Sequence, residues 1–376
     1  MGRITINTTG RGSKMNINEY FSKENRSFKI DDTNSGLRNV SMFSLKIALN
    51  SYFTTYLSIM SSFELDEEFD EKHIKYEKEY IESYIETIVH FQHFFELIIK
   101  DILEKEHILL SVRATNEPVI LHKLINNEQI SQTEYEKIYS IEFSDALKSI
   151  CKLLDDGRIN REKYGFIKQY KLTLEYINTL RNRIWHKGKV ILTYRALDEL
   201  VCKYILPIVK EVISLDEYID KQVIWKPKDL IGIDINLIDE MIVEMKKESY
   251  DLSKLSFLKE AGRAGYNKWI SEKSTFYNDK RLEELTKLEN KNEILGKIEI
   301  CPVCGKKTLC IYQYVEEILN GYGVIIDALG KCINCNFTIN RAIKDLSEYG
   351  YDFNKFWETD IFTGGEIEPR YDGYDS

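Results

Sequence analysis

Apolar residues recur every three or four positions through most of the first 215 residues, then alternate over short stretches between about 298 and 340. The first spacing is that of helices burying one stripe, the second that of half-buried strands. After Ser35, read as an N-cap, the run GLRNVSMFSLKIALNSYFTTYLSIM predicts a helix with Leu37, Val40, Phe43, Leu45, Ile47 and Leu49 inward. A longer helix is predicted over 71–108, where Ile81, Ile85, Ile88, Phe91, Phe95, Ile98 and Ile102 keep the period. Residues 111–140 read as loop-rich around a short helix at 119–126. Further helices are predicted at 141–155, ending before Asp156-Gly157, and at 164–187, with Phe166, Tyr170, Leu172, Leu174, Ile177, Leu180 and Ile184 on one stripe and Gly188 as the stop. A last one spans 194–215 and is bent or interrupted at Pro207, which cannot donate the helical hydrogen bond.

These elements define a helical bundle over 35–225, after a polar, flexible segment over 1–34. A more highly charged helical connector follows at 226–295, then a β-rich module at 296–345 and an acidic segment at 346–376, mobile beyond about Phe362. The fold class is therefore mainly α. A length of 376 residues suits about two or three domains, and only 5 prolines interrupt the helices. The N-terminal MGRITINTTGRGSKM has no apolar h-region, and no run approaches the ~20 apolar residues of a membrane span, so a soluble, cytoplasmic protein without membrane partners is expected.

The module at 296–345 carries the clearest chemistry. Cys301-Pro-Val-Cys304-Gly and Cys332-Ile-Asn-Cys335 form two CxxC pairs, with strand-like TLCIYQYV and GVIIDAL between them. Each CxxC turn can aim two thiolates at one ion, and four such ligands satisfy a tetrahedral metal. CPxCG resembles a zinc knuckle and the whole resembles a zinc ribbon, which implies one structural Zn2+ per chain and no open coordination position. The separation of the pairs is longer than the common spacing, and a reducible thiol pair or an iron–sulfur site are the other chemistries compatible with it. Cys151, Cys202 and Cys310 read as core residues.

The net charge of −9 excludes a general nucleic-acid coat but not a local basic site. Between Gly157 and Arg195 stand Arg158, Arg161, Lys163, Lys168, Lys171, Arg181, Arg183, Lys187, Lys189 and Arg195, against only Glu162 and Glu175. That block surrounds Arg181-Asn182-Arg183-Ile184-Trp185-His186-Lys187-Gly188. On a helix Asn182 and His186 share a face, and Arg181 is offset from it. The C-terminal end of a helix is itself poor for phosphate, so the neighbouring cations Arg183, Lys187 and Lys189 would hold an anionic substrate. RNA cleavage without metal needs a base for the 2′-hydroxyl, an acid for the leaving 5′-oxygen and cations around the phosphorus. One His and one Arg supply half of this, and a two-fold dimer would supply all of it. Trp185 is expected to pack rather than stack on a base. His90 and His93 are expected in the core or at a dimer interface rather than on a metal. No P-loop, GxGxxG, HExxH or nucleophile-elbow motif occurs.

An Arg followed by a polar residue and then, after a short interval, by a His at the end of a helix in an all-α bundle resembles the R-x4–6-H signature of HEPN domains. Arg181-Asn182-x3-His186 carries the match, and His90–Leu103 is similar to the apolar helix that precedes the motif, with Glu96 as its acidic residue. The resemblance spans about 35–215. It implies a homodimeric endoribonuclease without a catalytic metal, acting as a toxin or in antiviral defence, with RNA as substrate and an activator, antitoxin or phage-derived trigger as partner. Arg181, Asn182, His186 and Glu96 would form its catalytic set. The rival reading is a non-catalytic binding protein, with the ribbon on nucleic acid or protein and the bundle as dimerisation platform.

Overall fold

A computed structural model of the chain describes residues 36–62, 76–113, 117–131, 134, 137–188, 191–227, 230, 235–266, 287, 289, 295–318, 322–340, 343 and 359–363. These are mostly helical, with a small antiparallel sheet toward the C-terminus. Helices α1 (Gly36–Thr54) and α2 (Lys78–Glu106) pack along one another and form the spine of the bundle. α2 starts later than the periodicity predicts, because Glu77 is extended. It ends at Glu106 because His107 is also extended, and the His107 Nδ1 accepts the Leu109 N–H to begin a short 3-10 turn, Ile108–Leu110. Ser35 and residues 71–75, given to the starts of these two helices above, lie outside the described residues.

Helix α3 (Pro118–Ile125) and the two-stranded ribbon of β1 (Val112–Arg113) with β2 (Tyr139–Ser140) form a satellite around Ile120 and Leu124. α4 (Phe143–Asp155) follows. The single helix predicted over 164–187 is two: α5 (Arg161–Gln169) and α6 (Lys171–Lys187), broken at Tyr170. α5 begins three residues early because the Asn160 side chain caps the Lys163 N–H at 3.0 Å. The stripe runs on in phase through the break, from Phe166 and Tyr170 to Leu174, and position 172 falls off it. Leu174, Ile177 and Leu180 are buried as predicted, whereas Leu172 is 80% exposed.

Helices α7 (Tyr194–Asp198) and α8 (Leu206–Ile213) are joined without a gap by a π-helical segment, Glu199–Ile205. The interruption expected at Pro207 takes this form: the missing N–H removes one i→i−4 bond, and the wider turn absorbs the mismatch just before it. Short helices α9 (Asp216–Ile219) and α10 (Gln222–Trp225) close the bundle. Beyond them, α11 (Leu237–Met245) is followed by α12 (Leu252–Gly265). Read from its charges, this part is a connector. In the fold, α12 is buried on nearly every side, including the charged Lys254, Lys259 and Glu260.

The sheet runs β3 (Leu295–Ile300), β4 (Lys307–Ile318), β5 (Tyr322–Cys332), β6 (Thr338–Asn340), all antiparallel. β7 (Thr359–Thr363) pairs with the Tyr322–Ile326 part of β5, so a segment assigned by composition to the acidic tail contributes a strand. Residues 364–376, expected to be mobile, lie outside the described residues, as do 1–34. One continuous buried cluster includes Tyr52 and Phe91 of the bundle, Phe257 of α12, and Cys301, Leu309 and Phe337 of the sheet module. Among the described residues no helix is long and apolar enough to cross a membrane.

Candidate active site and metal centre

Arg181, Asn182, Arg183, His186 and Lys187 occupy the last two turns of α6. Gly188 ends the helix in the left-handed region (φ 56°) and donates its N–H to the Arg183 carbonyl at 3.0 Å, the closure that a residue without Cβ allows. Lys189 lies outside the described residues. Arg181 is half-buried and its Nη1 donates to the Asn182 Oδ1 at 2.9 Å, which turns the guanidinium toward the Asn182 side. His186 is exposed, one helical turn beyond Asn182 on the same face, with Arg183 and Lys187 exposed beside it. The structure therefore brings Arg181 and Asn182 into contact and leaves the imidazole open to solvent. Trp185 is 60% exposed, contrary to the expectation that it packs: position 185 falls outside the inward stripe that Ile177, Leu180 and Ile184 set.

The opposite wall is α2, against which α6 packs. Both oxygens of Glu96 accept hydrogen bonds along their own helix, from Lys100 Nζ at 2.6 Å and Gln92 Nε2 at 2.9 Å. Burial pushes the Glu96 carboxyl up, but these donors outweigh it and hold its pKa below the usual range. Glu96 is thus ionised and committed to its own helix. His93 lies one turn before it, its Nδ1 2.8 Å from the Ser44 hydroxyl of α1. Burial lowers the His93 pKa first, Lys100 and Arg181 lower it further, and Glu96 opposes them. His93 is therefore in electrostatic reach of the motif arginine, a neighbour that sequence reasoning missed. The signal available was three residues of separation from Glu96 on the inward side of α2. Burial also lowers the His90 pKa, and its buried Nδ1 has no hydrogen-bond partner among the described residues.

The second constellation is complete within one chain. Cys301, Cys304, Cys332 and Cys335 are all buried, and their sulfurs lie within 4.8 Å of one another. The Cys301–Cys335 and Cys304–Cys332 sulfurs are 3.6 and 3.7 Å apart. A tetrahedral ion with bonds of about 2.3 Å to sulfur has ligand–ligand edges of about 3.8 Å, so the four sulfurs fit one metal ion. Among the described residues this is the one group of three or more His, Cys, Asp or Glu side chains close enough to do so.

The two knuckles have the same backbone. Gly305 N–H donates to the Cys301 carbonyl at 2.9 Å and Cys301 N–H to the Lys306 carbonyl at 2.8 Å. In the second, Asn336 N–H donates to the Cys332 carbonyl at 2.9 Å and Cys332 N–H to the Phe337 carbonyl at 2.8 Å. The residue after the second Cys of each pair is left-handed, Gly305 at φ 67° and Asn336 at φ 60°, and Asn is among the side chains that best tolerate that region. The Cys335 N–H also points at the Cys332 sulfur, 3.4 Å away, an orientation that favours a thiolate. Register Leu309↔Cys332 between β4 and β5, with the Ile333 N–H on the Thr308 carbonyl at 3.0 Å, brings the distant second pair beside the first.

Comparison with protein-family models, with curated proteins and with solved structures finds no match to this chain.

Proposed function

We propose that this chain is a HEPN-type endoribonuclease, cutting RNA by attack of a 2′-hydroxyl on the adjacent phosphorus at a composite site made by two copies. His186 would take the 2′-hydroxyl proton in one copy and, from the other, give a proton to the leaving 5′-oxygen as the P–O5′ bond breaks, leaving a 2′,3′-cyclic phosphate. Arg181 would stabilise the charge on phosphorus, Asn182 would orient it, and Arg183, Lys187 and Lys189 would hold flanking phosphates. The four cysteines would hold a zinc ion that supports folding, since every coordination position is filled by the protein.

The observation that carries the reading is the end of α6: an exposed imidazole one turn from an Arg181–Asn182 pair, in a basic stretch. Because one chain offers one such imidazole there, the reading requires a second copy. The occupied Glu96 favours leaving it outside the chemistry, as part of the wall that positions α6.

The test is incubation of wild type and His186→Ala with total cellular RNA in EDTA, followed by mapping of the new ends. Cleavage by wild type alone, with cyclic phosphate ends, is the expected result. Equal cleavage by both proteins would refute the role of His186. Stoichiometric RNA binding with no cleavage would favour the binding-module alternative.

A further inference from the structure

Helix α12 carries four charged side chains that are buried or nearly so, and they tie it to three parts of the molecule. Lys254 meets Glu240 and Glu244 of α11 at 3.5 and 3.3 Å. Lys259 reaches into the bundle, where its Nζ donates to Asp198 Oδ1 at 2.7 Å with both side chains fully buried. Its ammonium stands over the Tyr194 ring at 3.8 Å and the Tyr52 ring at 4.5 Å from their centroids. Tyr52 donates to the same Asp198 oxygen at 2.9 Å. Asp198 is the last residue before the π-helical segment.

The other two charges face the second cysteine knuckle. Glu260 is fully buried and accepts from Arg263 Nη2 at 2.6 Å, Arg263 Nε at 2.7 Å and the Thr338 N–H at 2.6 Å. Arg263 Nη2 also donates to the Asn336 carbonyl. Phe337, between those two residues, meets Phe257 of α12 edge-on at 5.8 Å. On the bundle side, the Phe53 ring occupies the place a side chain at Gly262 would take, with a Cβ there only 2.5 Å from it. α12 is thus gripped by the knuckle at one face and by α1 and the Asp198 cluster at another.

Residues 336 and 337 hold their position through hydrogen bonds closed on Cys332, Thr338 follows as the first residue of β6, opposite Lys331, and a ligated metal would fix Cys332 and Cys335 against the first knuckle. Without the metal that turn would lose its anchor, leaving only the short β5–β6 pairing to hold Thr338. The wholly buried Glu260 carboxylate then loses the Thr338 N–H, and Arg263 loses the Asn336 carbonyl. A buried charge stripped of its partners does not stay dry, so α12 must shift or open. Lys259 sits on the adjacent position of the same helix.

We propose that the four-cysteine centre is a metal-dependent clamp on α12, which transmits metal occupancy to the Tyr52–Asp198–Lys259 cluster and the π-helical segment of the bundle. The clamp rests on reading the four cysteines as a metal site and is independent of the nuclease reading. Linkage makes it reciprocal: whatever loosens the Asp198–Lys259 pair weakens metal binding.

The experiment is hydrogen exchange of the full chain, as purified and after metal removal by a chelator, with metal content measured on the same samples. Residues 252–265 and 194–205 should exchange at least about tenfold faster without metal, while α4, which is remote from the clamp, stays unchanged. Faster exchange confined to 295–340 would overturn the clamp and leave the metal site intact. No metal in the purified protein would overturn both. Arg263→Met, which spares the cysteines, should retain about one metal per chain yet show the metal-free exchange of α12; wild-type protection in that variant also sinks the clamp. In the reverse direction, Asp198→Asn with Lys259→Met keeps the charges balanced and should lower metal affinity, in competition with a chromogenic chelator, by at least about threefold. An unchanged affinity there refutes the reciprocity.

Discussion

The cysteine centre and the end of α6 each rest on a motif of a few residues, but the fold treats them in opposite ways. The four sulfurs are buried, mutually close and held by two knuckles of matching hydrogen-bond pattern, so one chain completes the site. At the end of α6 only the first half of the motif is held, by the Arg181–Asn182 bond, and the imidazole stands in solvent. A structural metal site must be closed to do its work. On the reading proposed above, the end of α6 serves a macromolecular anion and must be open, with its other half supplied by a second copy. The first therefore reads as stability and the second, on that proposal, as activity, and the two should respond differently to substitution.

The largest expected effect is at the closed site. Cys332→Ser should abolish stoichiometric metal and unfold 295–340, since a structural zinc contributes on the order of 10 kcal/mol to folding such a module. Metal analysis together with circular dichroism checks this, and a variant that keeps both its metal and its sheet would reverse the comparison. At the open site, His186→Ala should leave the melting curve unchanged, because the side chain is exposed. The same variant should lower the proposed RNA cleavage by about 10²–10⁴-fold, the usual contribution of a positioned acid or base. A large loss of stability in His186→Ala would mean that the imidazole is structural after all.

How much of this is legible in the sequence follows the same division. The cysteine pairs announce themselves because metal ligation needs fixed residue types at fixed spacing, and Gly305 supplies the turn. The second knuckle's use of Asn336 in the left-handed region is not legible, since Asn is common in ordinary loops. The helical stripe of the bundle can be read from Leu174, Ile177 and Leu180, but the break at Tyr170 cannot. No Pro or Gly marks it, and only the Asn160 cap hints at an earlier start. α12 has the sequence of a connector because Lys259 and Glu260 look like surface charge. Their partners, Asp198 and Thr338, are 61 and 78 residues away, and local pattern carries no information at that separation.

A third test probes the acid response of the bundle. Glu217 accepts from Lys105 at 2.9 Å and from the Tyr164 hydroxyl at 2.8 Å, and pairs with Lys163 at 2.7 Å. Burial raises its pKa, but the three donors prevail and hold it at about 2. The folded value is below the unfolded one of about 4.3, so the contribution is fully present above that pH and fades as pH falls toward 2. Because solvent screens part of this cluster, the contribution is on the order of 1–2 kcal/mol, less than the full shift would give. Glu217→Gln should lower neutral-pH stability by that order and flatten the acid limb of the denaturation profile between about pH 2 and 4. A parallel downward shift at every pH would mean that Glu217 acts through packing and not through its charge.

A small effect on stability, and the sharpest on the comparison, is expected at Trp185. Its ring is 60% exposed and adjacent to His186, and Leu172 at 80% and Tyr176 at 42% exposure lie farther back on α6. Truncating so open a side chain should change folding stability by no more than about 0.5 kcal/mol. If a second copy completes the site, however, the same ring is positioned to be covered by it, and aromatic anchors carry a large share of interface energy. Trp185→Ala should then raise the dimer dissociation constant by about tenfold or more in sedimentation equilibrium, with an unchanged melting curve for the monomer. A dimer as tight as wild type would place the interface elsewhere and count against a composite site at the end of α6.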